Sequence, residues 1–146
     1  MARQVYQTEK DLQNEQIVSN RLESALSGKV VKMGGRLGEI DRCIVNKDNE
    51  IECVLEIKVR AIDYKQYPTI FISAHKIMAG MPYRNELGIP FYIAFALKTG
   101  IYLYHIKEPD QYVYKWDGRT KQTRDNQDIE IMAHIPMEEY IIHIAY

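Results

Sequence analysis

The chain has 146 residues, 46% of them hydrophobic, which is enough to bury a core without disulfide or metal staples. A net charge of −1 and only two cysteines exclude a uniformly basic nucleic-acid-binding domain and a disulfide-rich scaffold. The apolar run Phe91 to Leu97 is far too short to cross a bilayer and nothing resembles a signal peptide, so an intracellular protein without membrane contact is expected.

Thr8 to Ser27 carries the pattern of an amphipathic helix. At about 100° per residue, Leu12, Val18, Leu22, Ala25 and Leu26 fall on one stripe. Thr8 suits the N-cap, Glu9 and Asp11 suit the positive helix start, and Gly28 is a natural stop. Glu15 projects from near the middle of the stripe. A carboxylate on a core-facing side needs a partner, either a metal or a cation such as Arg42 or Lys58.

The loop Met33-Gly34-Gly35-Arg36-Leu37-Gly38 follows. Its glycines let backbone approach a phosphate, and Arg36 can clamp one; the alternative is an ordinary glycine-rich turn. It is not a dinucleotide fingerprint, because a strand follows it rather than a helix.

Ile40 to Val45 reads as a strand, Lys47-Asp48-Asn49-Glu50 as its turn and Ile51 to Arg60 as the return strand. A tight turn centred on Asp48-Asn49 sets Asp41 opposite Glu56. Lys58, two residues on, shares the face of Glu56. Opposed residues have Cβ atoms roughly 4.5–5.5 Å apart, and like charges so placed repel. A divalent cation between the two carboxylates resolves that conflict; an exposed, ion-paired strand face is the alternative. Ile51, Cys53, Leu55, Ile57 and Val59 alternate on the opposite side, anchoring the strand. A second acid-x-Lys triplet, Asp63-Tyr64-Lys65, falls in a loop.

Pro68 to Met81 reads as a second helix bearing Ser73, His75 and Lys76, and Leu87 to Phe95 as a buried strand. Ile101 to Ile106 and Tyr112 to Trp116 suggest further strands whose alternating tyrosines form an aromatic, partly exposed face. Asp117 to Asp128 is a polar loop with Arg119, Lys121 and Arg124. Ile129 to Tyr146 is too apolar for a free tail and is expected to dock on the domain or on a second subunit. Cys43 and Cys53 fall on opposite faces of the hairpin, which disfavours a disulfide. The four histidines are scattered, leaving zinc unsupported.

A helix bearing Glu15, a glycine-containing loop, then Asp41 and Glu56-Ile57-Lys58 on a hairpin resembles the core of the PD-(D/E)xK nuclease superfamily, nearest to small Holliday-junction resolvases and phage endonucleases. Ile40 stands where the family's proline precedes the aspartate, and the second helix lacks a clear glutamine motif. The resemblance implies an α/β fold, with a mixed β-sheet flanked by helices in a restriction-endonuclease-like αβββαβ core, extra C-terminal strands, and residues 1–146 as a single domain. It implies a Mg²⁺-dependent DNA endonuclease, with Mn²⁺ as a substitute, acting on branched or Holliday-junction DNA as a homodimer in the cytoplasm of a prokaryotic cell or phage-infected host. Glu15, Asp41, Glu56 and Lys58 would be catalytic, and Asp41, Glu56 and the Ile57 carbonyl would hold the metal. Lys32, Gly35, Arg36, Arg60 and Lys76 would contact DNA. Residues 21–84 hold 11 Lys/Arg against 8 Asp/Glu, so a basic working face is available on a near-neutral molecule. The alternatives are a nuclease for nicked or linear duplex and a non-catalytic nucleic-acid-binding or assembly module on the same fold.

Overall fold

In the computed structural model the described residues are 9–34, 40–118 and 129–146. The strand that organises them is β3 (Ile51–Val59), in which five consecutive residues, Cys53 to Ile57, are buried. A strand buried on alternate residues has one wet face; one buried on every residue is covered on both.

β3 lies inside a six-stranded mixed sheet of order β1-β2-β3-β5-β6-β9. Its neighbours are β2 (Arg42–Val45), antiparallel, and β5 (Phe91–Leu97), parallel. β1 (Lys29–Lys32) completes one edge, and β6 (Gly100–His105) with β9 (Ile142–Ile144) the other. On one face, Cys53, Leu55 and Ile57 pack with Ala94 and Ala96 against Val18 and Leu22 of α1 (Glu9–Leu26). On the other, Val54 joins Phe91, Ile93 and Phe95 beneath Ile77 and Met81 of α2 (Ala74–Leu87). A second sheet of order β4-β8-β7, built from β4 (Thr69–Ser73), β8 (Ile129–Pro136) and β7 (Val113–Gly118), adds Ile70, Ile72, Ala133 and Ile135 to that same cluster. The expected α/β architecture with extra C-terminal strands is what forms. Among the described residues no helix is long and apolar enough to cross a membrane.

The hairpin keeps the expected register by a different route. The turn hydrogen bond runs from Asn49 N–H to Asn46 O, so the turn is centred on Lys47-Asp48, and Asn49 takes the left-handed conformation at φ 65°. That shift alone would move every partner by two residues. Asn46 N–H bonds to the Glu50 carbonyl, which takes up one of them, and a β-bulge at Ile44/Val45 takes up the other. Beyond it the pairs are Ile44 with Cys53, Cys43 with Val54 and Arg42 with Leu55. Asp41 precedes Arg42 just outside the ladder, its carbonyl accepting the Met33 N–H at 2.5 Å. The two cysteines are free, buried, and in different clusters on opposite faces.

Several boundaries differ from the sequence reading. The second helix begins at Ala74, not Pro68, because Thr69-Ile70-Phe71-Ile72-Ser73 alternates and pairs with β8, more than fifty residues away in the chain. Ser73 then caps the helix, its Oγ accepting the His75 N–H. The helix runs past Met81, with Pro82 on an exposed position, so the following strand begins at Phe91 rather than Leu87. In α1, Ala25 is exposed rather than part of the buried stripe. Ser27, at φ 55°, takes the left-handed position at the helix end expected of Gly28. Gly28 is needed for space instead, since a Cβ there would lie 2.6 Å from Ile44. The face carrying Tyr102 and Tyr104 is buried, not partly exposed, because the C-terminal segment covers it: Tyr64, Tyr102 and His143 stack in a column, and Tyr104 donates to the Met137 carbonyl at 2.5 Å. Thr8, Gly35 to Glu39 and residues 119–128 lie outside the described residues.

Gly80 lets α2 sit directly on the Phe91 ring, where an added Cβ would come within 2.2 Å of a ring carbon. Gly80→Ala is expected to destabilise the fold by about 1–3 kcal/mol through overpacking, outweighing its gain in helix propensity, as measured by urea denaturation.

Candidate active site

Glu56 sits in the buried stretch of β3 beside Ile93 of β5, only 6% exposed. A carboxylate so enclosed is costly without compensating charge. Two ammonium groups provide it: Lys58 Nζ lies 3.5 Å and Lys76 Nζ 3.3 Å from the same oxygen, Glu56 Oε1. Lys58 reaches it along one strand face. Lys76 arrives from the first turn of α2, whose start is fixed by the Ser73 cap. Burial holds the Lys58 amine below the usual lysine range, and the attraction of Glu56 only partly opposes this. Arg60, further along the same face, is lowered by burial in the same way, with Glu56 again opposing.

A second charged group forms where α1 meets the hairpin. Arg42 bridges two acids, its Nη2 lying 3.1 Å from Glu15 Oε2 and its Nη1 3.3 Å from Asp41 Oδ1. Glu15 thus faces the hairpin from the stripe that carries Val18, Ser19 and Leu22, and it meets Arg42, one of the partners its position anticipated. Lys32, exposed at the end of β1 and opposite Arg42 in the ladder, helps line a cavity of about 250 Å³ with Glu15, Ser19, Glu23 and Arg42.

Three of the expected catalytic residues therefore belong to two ion-paired groups at the start of β2 and along β3, and Lys58 joins the one around Glu56. Ile57 is buried, with its side chain on the α1 side. Lys76, expected on the DNA backbone, is turned to Glu56. Arg60 opens onto a groove beside β4. Gly35 and Arg36 lie outside the described residues. Among the described residues, no three His, Cys, Asp or Glu side chains are gathered closely enough to share an ion.

The sequence reading did not anticipate that Lys76 would pair with Glu56. The signal was present in part: Ser73 as a cap puts Lys76 in the first turn of its helix, where a long side chain reaches back over the preceding strand end.

This chain is a member of the family described as "Phage putative PDDEXK endonuclease", which matches residues 1–142. Among solved structures it is similar to Hjc of Archaeoglobus fulgidus, a Holliday junction resolvase from an archaeal hyperthermophile, with 15% sequence identity and a TM-score of 0.57 over 94% of this chain and 92% of that one. The likeness establishes a shared restriction-endonuclease-like fold. None of the curated proteins matches the sequence.

Because the folded state lowers the Lys58 pKa, the unfolded chain binds more protons between that lowered value and the ordinary lysine pKa, so the contribution of Lys58 to stability rises with pH across that window. Urea denaturation from pH 7 to 10 should show wild type gaining stability relative to Lys58→Met as pH increases. A constant difference would mean that burial does not hold the amine down.

Proposed function

We propose that residues 1–146 form a single nuclease domain that hydrolyses DNA phosphodiesters with Mg²⁺, selects branched or Holliday-junction DNA, and works as a homodimer. The observation that carries this reading is Glu56, a carboxylate enclosed in the sheet and held by two lysines in a chain of an endonuclease family.

The donors suit a hard cation. Mg²⁺ binds one or two carboxylates and keeps several waters, so Asp41 and Glu56, with the Ile57 carbonyl, would hold it without a third acid; Mn²⁺ suits the same oxygens. When bound, such an ion supplies phosphate neutralisation and a nucleophilic water at neutral pH. The chain's own groups act around it. Lys58, its amine held low by burial, orients the attacking water and exchanges a proton with it. Lys76 offsets charge on the scissile phosphate. Glu15 holds Arg42 against Asp41 and so fixes the direction of that carboxylate. Lys32, Gly35, Arg36 and Arg60 contact the DNA backbone.

Branched-DNA selectivity is supported by the fold shared with a Holliday junction resolvase. A four-way junction offers paired phosphodiesters, and two symmetry-related sites match them. A non-catalytic binding or assembly module is the second reading. It is favoured by the ion pairs that Arg42 already makes with Glu15 and Asp41 and that Lys58 and Lys76 already make with Glu56.

The test is incubation with labelled four-way junction and linear duplex, in Mg²⁺ or in EDTA. Cleavage of the junction in Mg²⁺ alone is expected, and no metal-dependent cutting of any nucleic acid would leave the binding module. Asp41→Asn and Glu56→Gln should each lower the cleavage rate by about 100-fold or more, at least what loss of an outer-shell partner costs. Asp41→Asn should melt close to wild type, and Glu56→Gln should still fold but melt lower, because Lys58 and Lys76 lose their shared counter-charge. Full activity in both variants would refute the assignment of these ligands.

A further inference from the structure

The face of β3 that carries Glu56 and Lys58 continues to Arg60, and there it opens onto a groove of about 410 Å³. Besides Arg60, its lining includes Tyr67, Thr69 and Phe71 from the loop and β4, His134 from β8 and Lys115 from β7. Four elements build it: the end of β3, the loop into β4 with β4 itself, β8, and β7.

Three properties define what this groove accepts. Its aromatic rings are open to solvent, Tyr67 being 53% and Phe71 39% exposed. Its charged lining is Arg60 and Lys115, and among the described residues no Asp or Glu lines it. It also lies near the group formed by Glu56, Lys58 and Lys76, because Arg60 continues their strand face and is close enough for the charge of Glu56 to act on its guanidinium. Phe71 stands 5.6 Å from the His134 ring, and Thr69 Oγ1 lies 3.2 Å from His134 Nδ1, which fixes that wall. Open aromatic faces beside cations are the chemistry of single-stranded nucleic acid, in which bases stack and phosphates seek positive charge. An apolar peptide segment would use the rings and leave the cations without purpose. The volume lies within the range of about 300–1,000 Å³ typical of small-ligand sites, large enough for one nucleotide.

We propose that this groove holds an unpaired nucleotide of the DNA strand, its base against Tyr67 and Phe71 and its phosphates toward Arg60 and Lys115. The assignment rests on the reading of the protein as a DNA endonuclease and adds the feature it recognises: a strand that has left the duplex next to the cleavage site. In a branched molecule such nucleotides occur at the branch point, whereas in linear duplex they are stacked and paired.

Fluorescence anisotropy in EDTA tests this with the full chain, a labelled oligothymidylate and a labelled blunt-ended duplex of two complementary strands. Tyr67→Ala and Phe71→Ala, both at solvent-open positions, should each weaken oligothymidylate binding about tenfold or more and leave duplex binding within about twofold. Tyr67→Phe should retain single-strand affinity, because stacking needs the ring and not the hydroxyl. Equal losses on both DNAs, or no loss on the single strand, would overturn the groove assignment, with thermal melting confirming that the variants fold. If the wild-type protein binds and cuts duplex or junction DNA in Mg²⁺ while the ring substitutions change nothing, only the groove fails. If it binds neither DNA, the groove and the endonuclease reading fail together.

Discussion

Everything at the centre of this molecule is arranged around one buried carboxylate. Glu56 is enclosed because β3 is covered on both sides, by α1 with its aliphatic stripe and by α2 with the second sheet. The same enclosure that makes the charge costly makes its partners obligatory, so Lys58 and Lys76 are drawn to a single oxygen. Lys58 in turn carries the electrostatic mark of that enclosure, an amine less basic than in water. Core packing, helix placement and amine chemistry thus meet at one atom.

Arg42 plays the corresponding part at the sheet's other charged group. It belongs to β2, yet its guanidinium spans an acid from α1 and an acid from its own chain neighbour. The planar fork of arginine suits a two-acid bridge where a lysine would serve only one well. Helix and hairpin are therefore coupled by charge as well as by the contact of Val18 and Leu22 with the sheet.

How legible all this was in the chain depended on how local each cause is. The faces of β3 were readable from the alternation of Cys53, Leu55 and Ile57, whereas the register expected from a turn on Asp48-Asn49 agrees only because the loop and the bulge make up for the turn's true place. The first helix was readable from Val18 and Leu22, and the buried fifth strand from its continuous apolar run. β4 was not, since a five-residue stretch next to a helix becomes a strand only when β8 supplies its partner from far along the chain. The burial of Tyr102 and Tyr104 depends likewise on the C-terminal segment folding back over them. At the site, the acids and Lys58 stood out from the strand pattern. The pairing of Lys76 with Glu56 did not, because it depends on where α2 begins, and that boundary is set by the strand the sequence concealed.

The bulge at Ile44/Val45 has a consequence for how this hairpin takes up change at its tip. One extra residue is absorbed between the loop at Asn46 to Glu50 and the end of the ladder at Arg42. A bulge is a place where a ladder already tolerates a mismatch in length, so a residue inserted or removed at the tip has a site at which to be accommodated before the pairing of Arg42 with Leu55 is disturbed.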